Sequence, residues 1–404
     1  MKNILLLTPI YPADDLPKAL TPVVHYFARE WVDMGYNILV INYISNFPKL
    51  INLLTNPFNE TISSLTGATV KKNQVGEKIY EIDGVKVKRI PLLKYIPHSR
   101  FRKSELLKAY EKTIKFCEDN SFVPDCIIGH WFNPQLDLIA KLKEKYHVPS
   151  VLVLHNGAKS LINVYKKDSQ SLIDNIDILG FRSDAIKRNF ESYFSLSKPY
   201  FYCYSGIPEK FLLKNDIKRS FKKISSFVFV GTLFKRKHPI EIIYALEDSY
   251  KEEKYELNFV GKGSEEKSIN KLVRSINKEK YIHLLGRVDR TEVQNILRKN
   301  DVFVMISKNE AFGLVYLEAM AAGCITIASR NEGFDGIIKD GVNGFLCEAG
   351  NVKELSSIIS KIRRMDGISL SSISNAAIKT ANELSDKRAA YKYISSIEDI
   401  LKNK

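Results

Sequence analysis

The chain predicts an α/β fold made of two successive domains of similar size. Three observations carry that prediction. At 404 residues the chain is longer than a single hydrophobic core usually serves. Short apolar, β-branched runs alternate with helix-period segments, the pattern of mostly parallel sheets with helices on both faces. The alternation starts afresh near Ser205-Gly206, which sets the domain boundary.

The first half opens with a buried strand at 3–9, then an amphipathic helix at 23–35 closed by Gly35. A strand follows at 37–44. Residues 46–75, with Pro48, Pro57 and Gly67, read as an insertion or flap. A hairpin turns at Asp83-Gly84 within 77–91. An amphipathic helix spans 104–120, and buried strands lie at 125–131 and 149–156. In the second half strands are expected at 225–231, 255–263, 281–286, 301–307 and 324–329, with helices at 239–250, 264–278 and 290–300. The chain ends in a long helix over about 385–404, expected to pack back on the first domain. The domains are thus 1–205 and 206–384. Ligands of such sheets bind outside the carboxyl ends of strands, so a cleft between the halves is the expected site.

Composition excludes several classes. The chain is 45% hydrophobic and 26% charged, with too few Gly and Pro for large disordered regions. No apolar run reaches the length of a membrane span. The N-terminal apolar stretch lacks a small-residue cleavage site, so it reads as a strand and not a signal peptide. Five cysteines without a CxxC pair predict reduced thiols in a cytoplasmic protein. The net charge of +15 favours an anionic partner. Between 86 and 115, Lys86, Lys88, Arg89, Lys94, Arg100, Arg102, Lys103, Lys108, Lys112 and Lys115 face only Glu105 and Glu111, which fits either an anionic membrane surface or a simply solvated face. Nucleic acid is the weaker alternative, since no RRM, zinc or helix-turn-helix pattern exists.

The chemistry concentrates in SKNEAFGLVYLEAMAAG, where Glu310 and Glu318 stand eight positions apart. Gly313 argues against one continuous helix. A strand over 301–307 should run into a loop carrying Glu310, and a helix from about Leu314 should carry Glu318. The amides of Phe312, Gly313, Leu314 and Val315 would then form an anion site at the helix start. Two carboxylates beside an anion site suit a ligand bearing both hydroxyls and phosphates. A purely structural reading, with glutamates serving a helical first turn, stands beside this one.

The run VFVMISKNEAFGLVYLEAMAAGCITIASRNEGFDGIIKDGVNGFLCEAGNVKEL, together with FVFVGTLFKRKHPIEIIYAL, LNFVGKGSEEKSI and IHLLGRVDRTEV, resembles glycosyltransferase family 4. Coverage is good from about 200 to 360 and looser before it. The resemblance implies the GT-B fold, two Rossmann-like domains facing each other across a cleft. The first would bind the acceptor and the second the nucleotide sugar. It implies retaining transfer of a hexose from a UDP- or GDP-linked donor, of the bacterial surface-polysaccharide type.

Residue by residue, the resemblance implies that Glu310 contacts the donor sugar and Glu318 the ribose hydroxyls. Arg236 and Lys237 would neutralise the leaving diphosphate, Gly231 and Thr232 would line the donor site, and His155 would face the transferred sugar. His130, Thr21 and Asn156 are candidates on the acceptor side. Two positions depart from the pattern. Thr232 stands where an arginine is common, and the loop after the first strand has no glycine before Gly35. No spaced DxD cluster exists, so no metal or other cofactor is expected. The expected partners are a nucleotide sugar and a glycan acceptor, lipid-linked at the inner face of the membrane. A GT-B relative with epimerase or phosphorylase chemistry is the alternative.

Overall fold

The computed structural model describes residues 1–16, 22–48, 74–213, 219–251 and 253–403. Thr21 and nearly all of the expected insertion at 46–75 lie outside them. The chain divides into two compact units. One comprises 1–182, 186–204 and 386–404, the other 183–185 and 205–385.

The first unit is built on an eight-stranded sheet. Its strands are β1 (Asn3–Thr8), β2 (Asn37–Asn46), β3 (Lys78–Ile82), β4 (Val85–Leu93), β5 (Cys126–His130), β6 (Ser150–Leu154), β7 (Ile178–Phe181) and β8 (Tyr200–Tyr202). They run in the order β3-β4-β2-β1-β5-β6-β7-β8, and only β3 is antiparallel to its neighbour. The central strands β1, β5 and β6 are almost wholly buried, which explains their unbroken apolar sequences. Helix α1 (Val23–Asp33) turns Val24, Phe27, Ala28 and Trp31 inward at helical spacing, and the chain leaves it through Gly35 at φ +88°. Helices α2 (Lys103–Asp119) and α3 (Gln135–Tyr146) cover the other face. Shorter helices α4 (Ala158–Tyr165), α5 (Ser169–Asp174) and α6 (Asp184–Glu191) follow.

The sheet of the second unit is entirely parallel. Strands β9 (Ser226–Val230), β10 (Glu256–Val260), β11 (Ile282–Gly286), β12 (Val302–Val304), β13 (Ile325–Ser329) and β14 (Phe345–Cys347) run in the order β11-β10-β9-β12-β13-β14. The chain starts in the middle at β9, builds outward to β11, then crosses back to lay down β12. The switch point of the topology therefore lies between β9 and β12. Helices α7 (Pro239–Tyr250), α8 (Glu266–Ser275), α9 (Arg290–Lys299), α10 (Leu314–Ala321), α11 (Val352–Arg364) and α12 (Gly367–Glu383) complete the unit. Proline at the first position of α7 and an Asp289 side chain accepting from the Thr291 and Glu292 amides at the start of α9 set two of these helix starts.

The last helix, α13 (Asp386–Lys402), returns to the first unit. Ala389, Ala390, Tyr393, Ile394 and Ile397 join the core beneath α1, and the Trp31 indole donates to the Ala390 carbonyl at 2.9 Å.

The basic stretch 86–115 is less available than its sequence suggests. Lys88, Arg89 and Lys94 are buried. Arg89 makes a bidentate pair with Asp15, Lys88 and Lys112 both pair with Glu77, and Arg100 bridges Asp137 and Asp168. Lys86 donates to the Asn120 side chain. Arg102, Lys103, Lys108 and Lys115 remain on the surface.

Candidate active site

The switch point of the second sheet gathers the charged residues singled out above. β9 ends at Val230, and Gly231 carries the chain out at φ +155° into the short helical turn Lys235–Lys237. β12 ends at Val304, three residues earlier than its apolar sequence predicts. The Met305 amide makes the last bond to β13, to the Ile327 carbonyl at 3.2 Å; Ile306 and Ser307 stay buried but leave the ladder, which steers the chain toward Glu310. The two loops are tied together: the Lys308 amide donates to the Arg236 carbonyl at 2.8 Å and the Arg236 guanidinium to the Lys308 carbonyl at 3.3 Å.

This tie brings one acid against two bases. Glu310 Oε2 lies 3.5 Å from both the Arg236 guanidinium and Lys237 Nζ. Burial pushes the Lys237 amine below its ordinary range, while the Glu310 charge pulls it back up. The ammonium sits beneath Gly231, where an added Cβ would lie 3.1 Å from Nζ. Thr232 is half-buried beside it.

Gly313 opens α10 in the left-handed region, φ +80°, and a Cβ there would come within 2.5 Å of the Tyr316 ring. Glycine is thus required on two grounds. The Tyr316 hydroxyl donates to the Met305 carbonyl and contacts Ser307 Oγ, fixing the helix start against the end of β12. The first amides of α10, those of Leu314 and Val315, have no acceptor within the helix itself. Phe312 is buried against Phe334.

Glu318 lies one turn on, inside the unit. It is buried and accepts from Arg290 Nε at 2.7 Å. Burial raises its carboxyl, and the Arg290 charge opposes that rise. One carboxylate oxygen is thus held in place by Arg290, a residue sequence reasoning missed.

Glu332 and Gly333, just past β13, were missed as well. Glu332 accepts the Glu310 amide at 2.8 Å, and burial raises its carboxyl against the pull of the Glu310 and Asn309 amides. Gly333 lies against the backbone of the same loop. No spacing pattern marks either residue, because they act on a neighbouring loop and not along their own strand.

In the first unit, His155 follows β6 and His130 ends β5. Their rings meet, His130 Nδ1 to His155 Nε2, at 2.9 Å. The Tyr393 hydroxyl reaches the other His130 nitrogen, Nε2, at 3.2 Å. Trp131, held at φ +63°, stacks on His155 with ring centroids 3.8 Å apart. Burial drives the His130 imidazolium down to about 3, and burial with the Arg182 charge lowers His155 as well, so both rings are neutral near pH 7. His130, expected on the acceptor side, is fully buried and both its nitrogens are engaged. His155 remains partly exposed, and Asn156 is exposed beside it. Glu310, Arg236, Lys237, Gly231 and Gly313 therefore form one group, and His130 with His155 another.

A family model described as glycosyl transferases group 1 matches residues 214–380. That span holds the whole second-unit group, from Gly231 to Glu332. A protein of Methanocaldococcus jannaschii, the uncharacterized glycosyltransferase MJ1178, is 30% identical over 269 residues, covering 65% of this chain and 72% of the relative. The chain is a group 1 glycosyltransferase. N-acetyl-alpha-D-glucosaminyl L-malate synthase of Bacillus anthracis is 25% identical to this glycosyltransferase over 293 residues, 71% of this chain and 75% of that one. HepE of Anabaena, solved in complex with UDP, shares the fold with a TM-score of 0.69 at 17% identity, over 99% of this chain and 100% of that one. The two-domain α/β fold with parallel sheets is that of GT-B glycosyltransferases. Among the described residues, no group of three or more His, Cys, Asp or Glu is placed to hold a metal ion.

Proposed function

We propose that this glycosyltransferase moves a hexosyl residue from a UDP- or GDP-linked sugar, with retention, to a lipid-linked glycan acceptor in the synthesis of a cell-surface polysaccharide. The observation that carries the donor half is the contact of Glu310 with Arg236 and Lys237 at the topological switch point, beside the start of α10. A diphosphate is the natural occupant of two adjacent cations and a helix start. On its arrival it competes with Glu310 for Arg236 and Lys237, and the released carboxylate turns to the hydroxyls of the sugar. As the bond to the sugar breaks, negative charge grows on the leaving phosphate, and the same two cations stabilise it without a metal ion. Glu318, fixed by Arg290, accepts from the ribose. His155 faces the transferred sugar. In front-face displacement the leaving phosphate itself takes the acceptor proton, so neither glutamate serves as a general base. The UDP complex of HepE is in keeping with a nucleotide donor.

The acceptor half rests on the surface left by the basic stretch. Tyr95 and Ile96, in the loop after β4, and Leu107, on α2, are 39%, 66% and 47% exposed. The exposed cations Arg102, Lys103 and Lys108 are close to them in sequence, and Arg102 stacks 3.7 Å over the Tyr95 ring. Exposed apolar side chains with exposed cations in the same stretch suit an anionic bilayer, where each cation contributes about 1 kcal/mol. The enzyme would then work in the cytoplasm, peripherally on the inner face of the cell membrane.

Two experiments test the two halves. Incubation with a panel of UDP- and GDP-sugars should release nucleoside diphosphate, and Glu310→Ala should lower the rate by at least roughly 10²-fold. Full activity in that variant removes the donor assignment. In flotation, wild type should rise with phosphatidylglycerol vesicles at low salt, and Ile96→Asp with Leu107→Asp should not. Equal flotation on neutral phosphatidylcholine, or none at all, removes the membrane surface.

A further inference from the structure

We infer that Tyr393, on the C-terminal helix, is a positioning residue: acting through His130, it sets His155 as an obligate hydrogen-bond donor at Nδ1. The inference rests on the reading of His155 as the group that faces the transferred sugar. Its basis is the chain of contacts Tyr393 Oη to His130 Nε2 at 3.2 Å and His130 Nδ1 to His155 Nε2 at 2.9 Å.

Between two neutral imidazoles only one nitrogen of each touching pair can carry the proton. Two wirings satisfy that rule. In the first, the Tyr393 hydroxyl donates to His130 Nε2, His130 Nδ1–H donates to His155 Nε2, and His155 holds its proton on Nδ1. In the second, every proton is reversed. His155 donates from Nε2, His130 donates from Nε2, and the Tyr393 oxygen accepts. The Tyr393 hydroxyl proton then needs an acceptor of its own. Tyr393 is almost wholly buried, packed edge-on to Phe27 and Trp31 and stacked on Phe201. Among the described residues its hydroxyl has His130 as its hydrogen-bond partner. The second wiring therefore strands a buried donor, and the first is favoured by roughly ten- to a hundredfold.

The consequence is chemical. His155 cannot take a proton at Nε2, because His130 donates there. Its free nitrogen is an N–H, suited to a sugar hydroxyl acting as acceptor and not to deprotonating the incoming acceptor hydroxyl. Trp131, flat against the ring at 3.8 Å, holds the imidazole plane in which that N–H lies.

The test is nitrogen NMR on protein labelled with ¹⁵N-histidine, with the His155 signals assigned by their loss in His155→Asn. In wild type at pH 7 the His155 ring should appear as a single tautomer, protonated at Nδ1 and bare at Nε2. The tautomer itself is read on the unaltered protein, and the variant serves only to assign the signals. An Nε2–H tautomer overturns the inference. In Tyr393→Phe the pair loses its bias, and His155 should show both tautomers in exchange. A His155 spectrum unchanged in that variant also overturns the inference. In donor turnover, Tyr393→Phe should lower kcat several-fold with KM within twofold, since the hydroxyl lies away from the substrate. The tautomer spectrum is independent of catalysis. If His155→Ala turns out fully active, the sugar-facing role of His155 fails, and the wiring is still decided by the spectrum.

Discussion

A methyl group at position 333 would strike the loop that carries Glu310. The Cβ of Gly333→Ala would stand 2.5 Å from the Glu310 carbonyl oxygen, the Ala311 carbonyl carbon and the Phe312 amide nitrogen. All three are backbone atoms, so no side chain can swing aside. Ordinary contact for a Cβ begins at 3.4 Å, which leaves a shortfall of roughly 0.9 Å. The loop must move by about that distance. Glu310 now balances 3.5 Å from each of two cations, and the neighbouring amides open α10. A 1 Å misplacement of positioning groups is worth about 10²-fold in rate, or about 2.7 kcal/mol of barrier. Overpacking should cost a further 1–3 kcal/mol of stability. The assay is the initial rate of nucleoside diphosphate release from a donor that wild type turns over, beside a thermal melt. The expected result is a folded protein, melting several degrees lower, with kcat/KM reduced about a hundredfold. A Gly333→Ala enzyme within threefold of wild type would refute the claim that this glycine sets the loop.

Two further perturbations follow from buried charges. Burial already lowers the Lys237 amine and Glu310 supports it, so Glu310→Gln should lower it further. Binding of UDP or GDP, whichever raises the wild-type melting temperature, should therefore fade at a lower pH in Glu310→Gln; an unmoved alkaline limb would count against the pair. Lys94 is buried over the Phe101 ring at 4.5 Å, and desolvation brings its amine to about 8. Between about 8 and the unfolded value near 10.5 the unfolded chain holds more protons, so this group makes wild-type stability rise with pH across that window. Lys94→Met removes the charged burial, so it should be the more stable protein at pH 7, by at most roughly 3 kcal/mol less the lost ring contact. Its advantage should shrink toward pH 10, and a lower melting temperature at pH 7 would contradict the account.

Local signals carried much of the architecture. The strands at 37–44, 125–131 and 149–156 announce themselves because buried parallel strands need unbroken apolar runs, and each is present within a few residues. The helix start at Leu314 was legible from Gly313 and the change of period. The early end of β12 was not, because Ile306, beyond the last ladder bond at the Met305 amide, is apolar for the sake of burial and not for pairing. The charge run 86–115 was legible only in part, for a related reason. A count of lysines and arginines does not see Asp15, Glu77, Asp137 and Asp168, which are remote in sequence and consume much of it. The same remoteness hid Arg290 behind Glu318 and Tyr393 behind His130, pairs 28 and 263 residues apart.

The return of the last helix to the first unit has a consequence for how the protein is made. Trp31 waits 359 residues for the carbonyl of Ala390. While the ribosome is still building the second unit, the first has an open flank where Ala389, Tyr393, Ile394 and Ile397 will lie. A chain cut just before residue 386 would thus injure the first unit, which is made early, and not the second. Tyr393, one partner of His130, also lies on that helix, so the hydrogen-bond chain is complete only once residue 393 has emerged.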